Sequence, residues 1–320
     1  MAQKRPIVID GRPVGRFRAS WLLFKETWRF LRLDPEIVAI PFLAGLLNIL
    51  LLGVLVGIAF FIHFTVIPLA TFVEVDGEMS LTAEHPALYV FAFLLYIGAA
   101  FTLAFSQGAI ANTVMTRLRG GNATLGDSLR VALSRWRALL LWSVITATVG
   151  LVLQLLAERF KLLGRWVIAL IGVAWTVLTY FVAPVIIIEN KGSIAAIKQS
   201  GRTLKQTFGE TVMTNIGLGL AMFVFYFFGA VISIGLLILA FQLGALVGYI
   251  IIFSTIFLLF LALGLLSAAL QGILKTLLYA YVMEHTTSPD FNSELLANVL
   301  VSDEKRSTAT DQVPPMQSTV

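Results

Sequence analysis

Within the apolar stretches between Ile37 and Met283 few side chains are equipped for chemistry, and most of those are uncharged. Lys275 is the one charge from Val212 to Met283. The apolar stretches otherwise hold the amides Asn48, Gln107, Asn112, Gln154, Asn215, Gln242 and Gln271. In hydrocarbon such amides hydrogen-bond across helices, at about 0.6 kcal/mol or somewhat more each. A packing role is therefore the first expectation. Gln107 and Gln271 stand out because each precedes glycine late in an apolar stretch, as Gln107-Gly108 and Gln271-Gly272. With Asn112 and Lys275 they form the candidate polar site within the membrane, since costly intramembrane polar groups are functional candidates. Lys275 also lies where its ammonium can snorkel to the nearer interface.

A second set of side chains suits phosphate. Lys25, Arg29 and Arg32 accompany Trp21, Phe24, Trp28 and Leu31 in the segment Arg18 to Leu33. Arg135 and Arg137 flank Trp136 in Asp127 to Ala138, which also carries Leu129 and Leu133. Lys198, Arg202 and Lys205 alternate with Ile197, Leu204 and Phe208 in Ser193 to Phe208. At helical spacing, each segment separates an apolar face from a basic one, the pattern of a helix lying among lipid headgroups. These cations are candidate contacts for anionic lipid. The plainer reading makes them stop-and-orient signals for insertion. Spread over membrane-proximal helices, they do not form a nucleic-acid footprint.

Other chemistry is set aside. The chain has no cysteine, so disulfides, thiolate nucleophiles and sulfur-ligated metals are excluded. His63 and His85 fall on one side of the membrane and His285 on the other, and His63, His85 and Glu84 lack metal-ligand spacing. No phosphate-binding glycine loop is present, and no Ser-His-Asp set. No catalytic residue, metal or cofactor is assigned, and the expectation is a protein that is not an enzyme.

The elements that hold these residues follow from hydropathy. Of 320 residues 58% are hydrophobic and 13% charged, against about 25% charged in soluble domains. A span needs about 20 apolar residues to cross about 30 Å of hydrocarbon. Six are expected: Ile37 to His63, Leu88 to Met115, Leu139 to Leu156, Trp166 to Ile188, about Val212 to Ala240, and one from near Ala245 that continues as helix to about Met283. Residues 212 to 283 also have the length for three short spans. The fold class is all-α, a polytopic bundle with amphipathic helices at one interface. Residues 1–36 form a basic segment with an interfacial helix, 37–283 the transmembrane domain, 284–301 an amphipathic helix and 302–320 a polar, disordered tail. The first apolar run is too long and too far from Met1 for a cleaved leader, so span one is expected to stay as an anchor.

Charge sets the orientation. The segment before span one and the loops after spans two and four are rich in Lys and Arg, while the loop after span one has only Glu74, Asp76, Glu78 and Glu84. Both termini are therefore expected in the cytoplasm of a multi-pass protein of the plasma (inner) membrane. The turn with Arg159, Lys161 and Arg165 breaks the rule. It and the acidic loop share the outer surface and have complementary charge. Pro184 lies inside span four, where it can kink the helix. Gly53 and Gly57 form one GxxxG pattern and Gly244 and Gly248 another, which permits close helix crossing.

A short repeat runs through the basic segments. Ser20 precedes Trp28 by eight residues, Ser128 precedes Trp136 by eight and Ser200 precedes Phe208 by eight. Three units are expected, each an interfacial helix followed by a two-span hairpin. Phe291 to Val301 reads as one more such helix.

The segments FRASWLLFKETWRFLRLDPEIVAIPFL and LLYAYVMEHTTSPDFNSELL resemble the two ends of a family of bacterial integral membrane proteins of unknown function. In that family a Trp-containing basic helix precedes the first span, and a Tyr-rich helix end leads into a further helix start. The resemblance implies a six-span membrane protein and supplies no activity, substrate or functional residue. The long polar tail departs from it. The functional expectation is a membrane scaffold or a lipid- or partner-binding protein whose evident partner is the bilayer, with anionic lipid next. The alternative is a transporter or lipid translocator with a polar cavity at Gln107 and Gln271.

Overall fold

The computed structural model describes residues 7–9, 12–14, 16–66, 68, 70–75, 78–83, 85–160, 162–243 and 246–284. The expected helix at Phe291 to Val301 and the tail lie outside them. The chain is helical, and six of its helical segments are long and apolar enough to cross a membrane. It is a multi-pass membrane protein in contact with the lipid bilayer.

A short hairpin comes first, β1 (Ile7–Ile9) paired antiparallel with β2 (Arg12–Val14). Helix α1 (Arg16–Leu33) follows, then a single 3-10 turn at Pro35–Val38 and α2 (Ala39–Thr65). A second hairpin, β3 (Ala70–Val75) with β4 (Glu78–Ala83), occupies the acidic loop. Next come α3 (Ala87–Leu118), α4 (Leu125–Ser134), α5 (Trp136–Arg159), α6 (Leu162–Leu178) and α7 (Val182–Ile188). Two long helices, α8 (Ser193–Leu243) and α9 (Leu246–Glu284), end the described chain.

The span count matches the hydropathy reading, and residues 212–283 hold two spans, Leu218–Gln242 and Gly248–Ala280. The helix of span six, α9, runs on to Glu284, as expected. Span four differs in detail, because it is broken between α6 and α7. Pro184 is the third residue of α7 and has no N–H to offer the carbonyl of Tyr180, while its ring crowds that same carbonyl. The helix gives way one turn ahead of the proline.

The chain divides into two compact units. One comprises residues 36–113 and 123–201. Its core lies near the basic ends of the helices. Ile37 and Ile40, the run Ala109 to Ala111, Leu139, and every residue from Phe181 to Ile187 are buried there. Gly108 lets α3 approach α7 closely, since a Cβ at that position would meet Ile187 Cγ1 at 2.9 Å. Trp142 of α5 and Trp175 of α6 stack with ring centres 6.2 Å apart. Away from this end the apolar side chains face outward, as on α2, where Phe64 is 67% exposed. Around Gly53 and Gly57 nothing approaches within 4 Å of a built Cβ, so that GxxxG makes no helix crossing among the described residues. Gly244 lies outside them.

The other unit comprises residues 1–35, 114–122 and 202–320. The apolar face of α1 packs on α9. Phe24, Phe30 and Leu31 are buried, and Phe24 stands 6.2 Å from the ring of Phe225 on α8. Farther along, Tyr226 of α8 stacks on Phe260 of α9 at 6.2 Å. Three turns of α9, from Ala269 to Ala280, contribute the longest buried run of this core.

Candidate functional site

Polar side chains at the basic ends of the spans are held by hydrogen bonds that the sequence only partly announces. Ser128 of α4 is fully buried. Its Oγ lies 2.7 Å from Thr113 Oγ1 and accepts from Asn112 Nδ2 at 3.4 Å, which ties α4 to the end of α3. Ser200 of α8 is fully buried as well. Its Oγ accepts from the Phe181 N–H at 3.0 Å and donates to the Leu178 carbonyl at 2.7 Å. Both backbone groups lie at the break in span four, between α6 and α7. Buried and unmet, each would cost about 1–3 kcal/mol. Nearby, Ser193 Oγ donates to the Ala138 carbonyl at 2.7 Å, at the start of α5. The eight-residue spacing singled out Ser128 and Ser200 without revealing what they touch. The side chains of Ser20 and Phe208 lie outside what is described.

The segment joining α3 to α4 is tightly specified. Gly120 has φ +81 and lets the chain reverse, with the Gly121 N–H bonded to the Thr116 carbonyl and the Gly120 N–H to that of Arg117, both at 2.9 Å. This is a Schellman ending. Thr124 then caps α4 reciprocally: its Oγ1 accepts from the Asp127 N–H at 3.2 Å, and the Asp127 carboxylate accepts from the Thr124 N–H at 3.3 Å and hydroxyl at 2.6 Å. The hydroxyl and backbone bonds from Thr124, helped by the Arg130 charge, hold the Asp127 carboxyl below its ordinary pKa against slight desolvation.

Asp34 and Arg117 are the pair sequence reasoning missed. Arg117 Nη1 donates to Asp34 Oδ1 at 2.6 Å, with the side chains 22% and 16% exposed. Asp34 Oδ2 and Arg117 Nε are buried and find no hydrogen-bond partner among the described residues. The positions are 83 residues apart, and in the sequence Arg117 counts only toward the basic charge of the loop after span two. No local motif could have matched them.

The candidate intramembrane residues fall in both units. Gln107 and Asn112 are half-buried on α3, and Asn112 is engaged by Ser128. Gln271 is exposed on α9 and donates to Ser267 Oγ, one turn back, at 2.9 Å, while Lys275 is half-buried one turn further on. Buried hydroxyls elsewhere in the spans bond to carbonyls of their own helices, as Ser143 does to Leu139 at 2.7 Å and Ser233 to Gly229 at 2.7 Å. Those groups are spent on the backbone. His85 Nδ1 accepts from the Ala87 N–H at 3.2 Å and so serves the start of α3. Among the described residues no three of His, Asp and Glu stand together as a metal site.

The candidate lipid contacts share a common setting. Lys25, Arg29 and Arg32 are exposed on α1, Arg137 is exposed and Arg135 half-buried beside α4, and Lys198, Arg202 and Lys205 are exposed on α8. The Arg32 guanidinium sits 5.7 Å from the centre of the Trp28 ring, and that of Arg137 sits 5.5 Å from Trp136. In the basic turn between α5 and α6, Arg165 Nε donates to the Ala157 carbonyl at 3.2 Å. That cation therefore closes its own hairpin. The acidic side chains of the facing loop lie outside what is described.

No curated protein and no solved structure matches the chain. One family does, over residues 86–289. That stretch contains all of spans two to six together with Asn112, Ser128, Ser200, Gln271 and Lys275, whereas the opening segment at Phe17 to Leu43 lies outside it. The buried serines and the broken fourth span are thus features of the matched region, and the chain belongs to the DUF6159 family, a family of unknown function.

Proposed function

We propose that this chain is a non-enzymatic membrane protein that binds anionic lipid at the cytoplasmic leaflet of the plasma membrane and organises that surface. The observation that carries the reading is the division of labour on the basic helices. Their apolar faces are used for packing, as Phe24, Phe30 and Leu31 are on α1 and Ala196 and Leu204 on α8. Their cations remain outward at Lys25, Arg29, Arg32, Lys198, Arg202 and Lys205. Each cation held near an anionic surface contributes about 1 kcal/mol. Indoles beside Arg32 and Arg137 suit the headgroup layer, where an aromatic body and a polar edge are both accommodated.

The test is lipid selection by the full chain. Purified in detergent and exchanged into mixed vesicles, the protein should enrich phosphatidylglycerol over phosphatidylcholine in its retained lipid, less so at high salt. Replacing Lys25, Arg29 and Arg32 by Gln, together with Lys198, Arg202 and Lys205, should bring the two lipids level. Equal retention by the wild-type chain sinks the reading.

Transport or lipid translocation is the second reading, supported by the exposed amide of Gln271 within span six. Broken helices in transporters offer freed backbone groups to a substrate. Here Ser200 already bonds the Phe181 N–H and the Leu178 carbonyl at the break, which favours the lipid-binding reading.

A further inference from the structure

Helix α4 treats its apolar residues differently from α1 and α8. Only its small residues Ser128 and Ala132 are buried, while Leu133 is 59% exposed and Leu129 half-exposed. The large side chains instead wall a groove of about 460 Å³ that α4 shares with α2 and α3. Leu43 and Leu47 of α2 form one wall and Phe105 of α3 contributes to the other. Leu43 and Leu47 remain 38% and 41% exposed. The groove is thus open along the flank of a membrane span and is entered from the lipid. Gly126 in the first turn of α4 adds no side chain and leaves its end of the groove wide. Of the eight lining residues only Arg130 has a polar side chain. It is exposed, and the neighbouring carboxylate of Asp127 is engaged by Thr124.

An apolar slot of this size falls within the range of small-molecule sites. Its occupant must be a hydrocarbon chain on the membrane side and an anion at the headgroup end. We infer that the groove binds one acyl chain of an anionic phospholipid, with the lipid phosphate on the Arg130 guanidinium. The inference rests on the anionic-lipid reading above and makes α4 its specific site. Two further features fit that occupant. Leu47 lies about 12 Å along α2 from its start, at 1.5 Å per residue, so the slot reaches from the interface into the acyl region. A guanidinium grips phosphate in bidentate fashion, which an ammonium does not.

The experiment is native mass spectrometry of the full chain, titrated with phosphatidylglycerol and with phosphatidylcholine. The wild type should hold one phosphatidylglycerol in preference to phosphatidylcholine. Arg130→Gln should weaken that adduct about fivefold and leave a residual site without headgroup preference. Gly126→Leu should remove the adduct with either lipid, because the slot is filled. A Cβ at Gly126 meets nothing closer than Thr124 Oγ1 at 3.8 Å, so the backbone tolerates the change. Should that variant fail to fold, Leu133→Ser at an exposed position roughens the same wall and should weaken both lipids. A wild type with no preference overturns the parent reading. A wild-type preference that survives all three substitutions within twofold overturns the groove and leaves the parent reading standing. Displacement of the lipid by free glycerol phosphate would show that the slot contributes nothing, and also overturns the inference.

Discussion

Asp34 and Arg117 show why residue-level function in this chain resists prediction from sequence. Arg117 sits in a basic loop whose charge already has an explanation, and its partner lies 83 positions away at the end of α1. Charge counting saw the cation and could not see the contact. The pair is mostly buried, with one oxygen and one nitrogen unmet among the described residues, so removing a single partner strands the other charge. Arg117→Gln or Asp34→Asn should cost about 2 kcal/mol, between the values for surface and fully buried pairs. The double replacement Asp34→Leu with Arg117→Met should recover most of that loss. Thermal unfolding of the four proteins in detergent measures the cycle, and additive losses would show that the pair is not coupled. The candidate amides were easier to name because an amide in an apolar run is conspicuous. What the sequence withheld was the partner, such as Ser128 for Asn112.

At the scale of elements, the spans were legible because about 20 consecutive apolar residues admit few other readings. The two hairpins were missed although their signal was present. Each is centred on Asp-Gly, at Asp10-Gly11 and Asp76-Gly77, between short runs such as Phe72-Val73-Glu74-Val75. Asp-Gly is a strong hairpin signal, and a search tuned to 20-residue hydropathy windows passes over six-residue strands. The break in span four was half legible: Pro184 announced a disturbance but not the residue that repairs it. Ser200→Ala should leave the Phe181 N–H buried and unmet, at about 1–3 kcal/mol. Ser128→Ala should also destabilise, through loss of the tie to Thr113. Ser134→Ala, at an exposed position whose hydroxyl bonds the Val131 carbonyl of its own helix, should stay within about 0.5 kcal/mol of wild type. Equal losses at the three positions, read from denaturant or thermal unfolding, would refute the docking role.

For the whole molecule, hydropathy gives the number of spans and charge gives an orientation, but neither gives the packing. Leu50 is 65% exposed and Leu270 is fully buried, yet both are leucines in apolar helices. In a bilayer, lipid and protein interior are equally apolar, so residue type stops marking the core. The orientation is testable directly. Alkaline phosphatase inserted between Asp76 and Gly77 should be active, and a fluorescent protein fused after Val320 should fluoresce in the cytoplasm; the reverse pair of results would invert the topology. The serine bridge in span four has a last consequence, for the order in which the chain is made. The Phe181 N–H receives its partner from a residue 19 positions later, about 1–4 s further into synthesis at 5–20 residues per second. Until Ser200 emerges, the end of span four carries an exposed polar backbone that hydrocarbon rejects. A chain halted before Ser200 is therefore expected to integrate span four less completely than one halted after it, a difference that glycosylation or protease mapping of the halted chains would measure.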